Sequence, residues 1–267
     1  MRIVAWNVNG LRACVRKGFK QWLESTHPDI LALQEVRALP HEALDALQLS
    51  SAWSAHFSPA QKRGYSGVAL LSRRKPDDVT TQLAPRFDVE GRFIAARYGR
   101  LIVCSAYFPK GDGPNRDLSR IAYKLDFYQA ARERLDNLRR GGHRVLCLGD
   151  FNTAHYPIDL ARPTQNKKNS GFRPEERAAL DDWSSSGWLD TYRSAHPQKV
   201  EYSWWSQRGD LRARNVGWRI DYVLASRAAA RFVETAFIET QTMGSDHCPV
   251  GVTVSPAILG ARSFTKK

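Results

Sequence analysis

The stretch Ile121-Ala-Tyr-Lys-Leu-Asp-Phe-Tyr-Gln-Ala-Ala-Arg-Glu-Arg-Leu-Asp-Asn-Leu-Arg-Arg140-Gly-Gly-His-Arg-Val145-Leu-Cys-Leu-Gly-Asp150-Phe-Asn152 changes its hydrophobic period midway. Ile121, Leu125, Tyr128, Leu135 and Leu138 recur at three-, four- and seven-residue intervals, the signature of one apolar helix face. Gly141-Gly142 supplies a left-handed stop. Val145–Gly149 then reads as a short buried strand, and a helix feeding a buried strand is the unit of a layered α/β protein.

Working outward, the same kind of short apolar run appears at Arg2–Asn7, Ile30–Leu33, Ser66–Ser72, Phe93–Tyr98, Leu101–Phe108, Arg219–Ala225 and Val250–Val254. Two more helices are predicted. Phe19 to Thr26 is halted before Pro28, and Pro174 to Ser186 carries proline and Glu175-Glu176 in its first turn, with Gly187 after its end. The polar loops at 110–116, 155–172 and 206–215 each carry basic residues, and loops on a rigid scaffold are where function usually sits. No linker or fixed-period repeat divides the chain. A single domain is expected over 1–255, followed by a polar, basic tail over 256–267.

The chain has 267 residues and is 42% hydrophobic, enough for one sizeable core. Forty Lys plus Arg against 27 Asp plus Glu give +13 and a pI near 9.9. That balance points to a polyanionic partner, nucleic acid ahead of an anionic membrane surface. Cys14, Cys104, Cys147 and Cys248 form no zinc spacing and read as reduced, buried small residues. No signal-like segment opens the chain and nowhere do eighteen apolar residues run together. The expectation is a bacterial cytoplasmic protein, associated with the nucleoid through DNA, that does not enter membranes. No heptad pattern argues for a dimer, so a monomer is expected.

Glu35 directly follows the apolar run Ile30–Gln34, so it stands at a strand exit, where its oxygens suit a hard cation such as Mg²⁺. Period two places Asp150 and Asn152 on one face and Phe151 on the other, which suits a general base beside an orienting amide. Asp221, inside the apolar run Arg219–Leu224, needs a partner. His247, in Ser245-Asp246-His247, is the natural one, because a carboxylate-oriented imidazole keeps one tautomer and donates to a phosphate oxygen. Tyr107 ends a strand and presents a phenol. Taken singly, each has an ordinary reading: a solvated strand-end charge, an Asx turn, a structural His–Asp pair, a packed tyrosine.

In series the motifs carry more. Trp6-Asn7-Val-Asn9-Gly-Leu-Arg12, Leu33-Gln34-Glu35, Gly64-Tyr-Ser-Gly-Val-Ala69, Tyr107-Phe-Pro109, Gly149-Asp150-Phe-Asn152, Gly171-Phe-Arg-Pro-Glu-Glu-Arg177, Gly217-Trp-Arg-Ile-Asp221-Tyr222 and Ser245-Asp246-His247 follow one another across nearly the whole chain. Together they resemble the exonuclease III family of apurinic/apyrimidinic endonucleases. The resemblance implies a DNase I-like four-layer α/β sandwich: two mixed β-sheets packed face to face and flanked by helices. It implies a metal-dependent DNA repair phosphodiesterase that cuts 5′ of abasic sites in double-stranded DNA to leave a 3′-hydroxyl. Activities on blocked 3′ ends accompany this in the family: 3′-phosphodiesterase, 3′-phosphatase and 3′→5′ exonuclease.

Carried over by position, the resemblance makes Glu35 the principal ligand of Mg²⁺, with Mn²⁺ as substitute. Asn7, Asp150, Asn152, Asp246 and His247 surround the metal. Asp150 resembles the group that deprotonates the attacking water, with Asn152 alongside. His247 held by Asp221, Tyr107 and Asn7 complete the catalytic set. The DNA-facing set implied is Asn166, Asn169, Phe172, Trp204, Trp218, Arg208, Arg212 and Arg116, with Trp205 and Arg214 nearby. A pocket without room for a base selects a base-free sugar, because extruding such a nucleotide costs less. Asn9 stands where some family members have Asp, and Arg37 where Lys is frequent. Two other readings compete: a phosphoesterase of the same fold acting on inositol phosphates or lipid head groups, and a DNA-binding module without catalysis. The 166–172 and 217–221 segments oppose the first, and intact Glu35, Asp150, Asp221 and His247 oppose the second.

Overall fold

The structure, a computed structural model, describes residues 1–115 and 117–260. Its twelve strands are β1 (Arg2–Asn7), β2 (Ile30–Gln34), β3 (Ser54–Ser58), β4 (Val68–Ser72), β5 (Asp78–Thr80), β6 (Phe93–Tyr98), β7 (Leu101–Tyr107), β8 (Arg144–Asp150), β9 (Trp188–Asp190), β10 (Asp221–Ser226), β11 (Val233–Ile238) and β12 (Val250–Val254). They form two six-stranded sheets, ordered β11-β12-β1-β2-β4-β3 and β5-β6-β7-β8-β10-β9. Each is mixed, because β1–β2 and β7–β8 are parallel while the remaining pairs are antiparallel.

Side-chain alternation builds the layers. From β1, Ile3 and Ala5 enter the core between the sheets, where they meet Ile94, Val103, Leu146, Leu148 and Val223 of the second sheet. Val4 and Trp6 point the other way, onto Phe19, Trp22 and Leu23 around the Lys20–Thr26 helix and onto Ala43 and Leu47 of the Pro40–Leu47 helix. On the far side, Cys104, Val145 and Cys147 pack against Phe127, Tyr128 and Leu135 of the Ile121–Arg140 helix and Leu180 and Trp183 of the Pro174–Ser185 helix. Helix, sheet, sheet and helix are therefore stacked, and each fully buried aliphatic residue contributes about 1.5–3 kcal/mol. All four cysteines are free and buried. Among the described residues no helix is long and apolar enough to cross a membrane.

The eight strands predicted from sequence are present, and the four that were not predicted, β3, β5, β9 and β11, are the four sheet edges. Two boundaries are corrected. Asp221 begins β10 instead of lying inside it, because Arg219 is drawn away to a buried pairing with Asp159. The 1–255 domain boundary also moves, since Pro256–Leu259 is a 3-10 helix with Ile258 fully buried and the Leu259 carbonyl accepting from the Arg100 N–H. Residues 261–267 of the expected tail lie outside the described residues, as does Arg116.

Register decides where the chemistry falls. Tyr107 pairs with Asp150 across β7–β8, Asp150 with Asp221 across β8–β10, and Asn7 with Gln34 across β1–β2. These residues therefore end strands at one end of the sandwich. The two sheets are joined there by Gln34 Nε2 donating to Ser105 Oγ at 2.9 Å and Ser105 Oγ donating to the Leu33 carbonyl at 3.0 Å. Gly149 permits the close approach of β7, since a Cβ there would lie 2.0 Å from the Ala106 carbonyl oxygen.

Candidate active site

Glu35 leaves β2 in a left-handed conformation (φ 51°), and Asn152 does the same after β8 (φ 49°). Such conformations are uncommon for residues with side chains and mark sites where the surrounding structure dictates the backbone. The consequence is convergence. Asn7 Nδ2 donates at 2.9 Å both to Glu35 Oε1 and to Asp150 Oδ2, bridging the two sheets. Asn152 holds Asp150 from the other side, through its N–H to Oδ1 at 2.8 Å and Nδ2 to Oδ2 at 3.1 Å.

His247 closes the group. Its Nδ1 is 2.9 Å from Asp221 Oδ2, and its Nε2 is 3.8 Å from Asp150 Oδ2. Asp221 Oδ2 also accepts from Ser203 Oγ at 2.6 Å, while its Oδ1, though buried, has no partner. Trp6 Nε1 donates to the His247 carbonyl at 3.1 Å and fixes the backbone. Ligating atoms of Glu35, Asp150 and His247 lie within 4.8 Å of one another.

Burial shapes the charges. For Glu35, burial works upward on the pKa, but Arg37, Lys110 and the Asn7 hydrogen bond overcome it and bring the group down to about 2. Asp150 is pushed up to about 7, first by burial, against the counteracting imidazole of His247. Burial works downward on His247, yet the carboxylates of Asp221 and Asp150 raise it to about 10, so the imidazole is held protonated. Tyr107 is buried beside Glu35, and burial followed by the Glu35 charge raises its phenol well above the ordinary range. Arg92, stacked 4.5 Å from the Tyr107 ring, donates to the Tyr107 carbonyl at 3.1 Å.

A cavity of about 130 Å³ opens beside this cluster, lined by Lys110, Asn152, Ser170, Gly171, Trp204, Trp218, Ile220 and His247. Trp204 and Trp218 hold each other through reciprocal backbone hydrogen bonds of 2.9 Å. Phe172 lies behind this wall, buried among Ala154, Leu160 and Ile220. Trp205 is a core residue packed with Tyr202 and Cys248.

The other predicted residues are placed as follows. Both oxygens of Asp246 are engaged outside the cluster, Oδ1 by Asn9 Nδ2 at 2.8 Å and Oδ2 by Trp204 Nε1 at 3.1 Å. Asn166 and Asn169 bond to each other (2.9 Å) on the loop leading to Ser170. Arg208 is exposed, and Arg214 is exposed and paired with Asp210. Arg212 is committed to the carbonyls of Ser245, Thr240 and Thr242, which makes it a brace of the 240–245 turn.

Sequence reasoning missed Lys110, Ser203 and Ile220 as site residues. Ser203 gives no signal beyond a lone serine before two tryptophans, and Lys110 is one of many basic loop residues.

Two face-packed mixed sheets with acidic groups gathered at one end are the architecture of DNase I-like hydrolases. The chain belongs to the Endonuclease/Exonuclease/phosphatase family, whose pattern it matches over residues 4–247. Within it the chain resembles the apurinic/apyrimidinic endonucleases and exodeoxyribonucleases. It is 36% identical over 262 residues to the DNA-(apurinic or apyrimidinic site) endonuclease of Dictyostelium discoideum, covering 95% of this chain and 70% of that one. It is also 36% identical over 258 residues to the exodeoxyribonuclease of Bacillus subtilis, covering 96% of this chain and 100% of that one. A solved 3′ phosphatase from Neisseria, bound to a product DNA hairpin, superposes with a TM-score of 0.81 at 29% identity, covering 96% of this chain and 99% of that one.

Proposed function

We propose that the protein is a metal-dependent DNA repair phosphodiesterase that cleaves double-stranded DNA 5′ of abasic sites and also acts on blocked 3′ ends, working as a monomer with a single catalytic domain. The observation that carries this reading is the meeting of Glu35, Asp150 and the Asp221–His247 pair, fed from both sheets, beside a small cavity walled by Trp204 and Trp218.

Two buried carboxylates bridged by one amide fit a hard divalent cation, so Glu35 and Asp150 would hold Mg²⁺, with Asn7 fixing both. When bound, the ion supplies neutralisation of charge on the phosphate oxygens. The rest falls to the chain. Asp150, held by Asn7 and Asn152, accepts the proton of the attacking water. His247, kept protonated and oriented by Asp221, donates from Nε2 to a phosphate oxygen as charge develops there, and the Tyr107 phenol assists; as the water oxygen bonds to phosphorus the P–O3′ bond breaks, and the departing 3′-oxygen takes a proton from solvent to leave the 3′-hydroxyl. Asp246 acts indirectly, holding Asn9 and Trp204. Arg208, Asn166 and Asn169 face the DNA.

The test offers the protein an abasic-site duplex, a recessed 3′ end and a 3′-phosphate nick, each with Mg²⁺ or EDTA. Metal-dependent incision at the abasic site is expected, and the order of rates ranks the activities. No metal-dependent cleavage of any substrate would refute the reading.

A further inference from the structure

Beneath the cavity lies a buried ion pair that the proposed chemistry does not use. Lys124 and Glu176 are both fully buried, with Nζ and Oε1 2.5 Å apart. Lys124 Nζ also donates to the Asn152 carbonyl at 2.7 Å. Glu176 accepts from Ser170 Oγ at 3.2 Å, from the Gly171 N–H at 2.7 Å and from the Arg173 N–H at 3.1 Å. Ser170 Oγ in turn accepts from the Gly111 N–H at 2.9 Å. The three loop segments that line one side of the cavity, at Lys110, Asn152 and Ser170–Gly171, are thus tied to a single pair.

The wall held this way is tight. A Cβ at Gly171 would lie 3.1 Å from the Asn152 carbonyl oxygen and 3.2 Å from the Trp218 ring. A buried ion pair gains little over an apolar pair of equal volume, so stability alone is a poor reason for one here. Fixing the relative positions of three loops is a better one, because the ammonium donates to the Asn152 carbonyl while the carboxylate accepts from Ser170, Gly171 and Arg173.

We infer that Lys124 and Glu176 are positioning residues that set the width of the cavity and, through it, selectivity for a nucleotide lacking its base over one carrying it. This rests on the proposed abasic-site activity. If the pair lets go, the Ala154 N–H to Gly171 carbonyl bond at 2.8 Å remains, but Gly111, Ser170 and the Asn152 carbonyl lose their common anchor, and the cavity wall they form can widen.

Glu176→Gln, Lys124→Met and the double variant are compared with the unaltered protein, using a duplex with a tetrahydrofuran abasic analogue against an undamaged duplex in EDTA. The ratio of incision at the abasic site to 3′ removal of normal nucleotides is also measured. The preference for the abasic substrate should fall on the order of 10-fold in each variant, since small displacements at such a site carry large effects. The double variant, which leaves no unpaired buried charge, should regain stability without regaining the preference, and it carries the test if a single variant does not fold. A purely structural role would lower both activities in parallel and leave the ratio unchanged, which would overturn the inference. Amide exchange at Gly111, Gly171 and Arg173 needs no DNA and should accelerate in the variants; unchanged exchange would overturn it too. Absence of any abasic preference in the unaltered protein would refute the proposed function and with it the selectivity, whereas accelerated exchange in the variants would still show that the pair holds the cavity wall.

Discussion

Asn152 stands between two buried charged assemblies of opposite character. Its side chain and N–H hold Asp150, in a cluster where Asp150 and Asp221 share one imidazole, Glu35 is paired with Arg37, and Asp221 Oδ1 has no partner. Its carbonyl holds Lys124, whose pairing with Glu176 balances charge and is surrounded by donors and acceptors. The first assembly carries repulsion between carboxylates and raised pKa values at Asp150 and His247; in the second, burial lowers the Lys124 pKa but Glu176 answers its charge. The difference teaches that burial of charge has two uses in one fold. On the proposed reading, the carboxylate-rich cluster is held ready for a substrate and an ion, and the balanced pair fixes the walls around it.

That contrast can be broken from either side. Asp150→Asn removes the proposed proton acceptor and should lower abasic-site incision by about 10³-fold or more while stability holds or rises, because a repelling carboxylate is gone. His247→Ala should cost roughly 10²–10³-fold in kcat with DNA affinity in EDTA little changed. Lys124→Met acts on the balanced assembly and strands Glu176, so unfolding by denaturant should show a loss of about 3–5 kcal/mol. Equal stability losses in Asp150→Asn and Lys124→Met would erase the distinction.

Smaller effects sharpen it. Ser203→Ala takes a donor from Asp221, a hydrogen bond to a charged group worth about 1.5–3 kcal/mol, and should reduce kcat/KM about 10-fold or more through a less well-held His247. The two arginines of the 206–215 loop should separate as well. Arg208→Ala should weaken DNA binding and reduce the salt slope by about 1, whereas Arg212→Ala should leave the slope alone and loosen the 240–245 turn that it braces.

How much of this was legible in the sequence divides along physical lines. Central strands are buried on both faces, so β1, β2, β4, β6, β7, β8, β10 and β12 show as apolar runs. Edge strands such as β3, Ser54-Ala-His-Phe-Ser58, and β11, Val233-Glu-Thr-Ala-Phe-Ile238, are only partly covered and carry no such run. The groups at strand ends were legible because register alone brings Tyr107, Asp150 and Asp221 into line. Partners supplied by loops were not: Asp246 was expected toward the metal, but its oxygens meet Asn9 and Trp204, a pairing between segments more than 30 residues apart or at opposite ends of the chain. One signal was overlooked. Lys124 occupies the apolar stripe of its helix, between Ile121 and Tyr128, and a charge in that stripe announces a buried partner.

The most direct measurement follows incision of an abasic duplex by Asp150→Asn in Mg²⁺, with thermal unfolding of the same preparation alongside. Activity lower by about 10³-fold or more, in a protein that unfolds at or above the temperature of the unaltered one, is the expected result. Incision within a few-fold of the unaltered rate would contradict it and remove Asp150 from the chemistry.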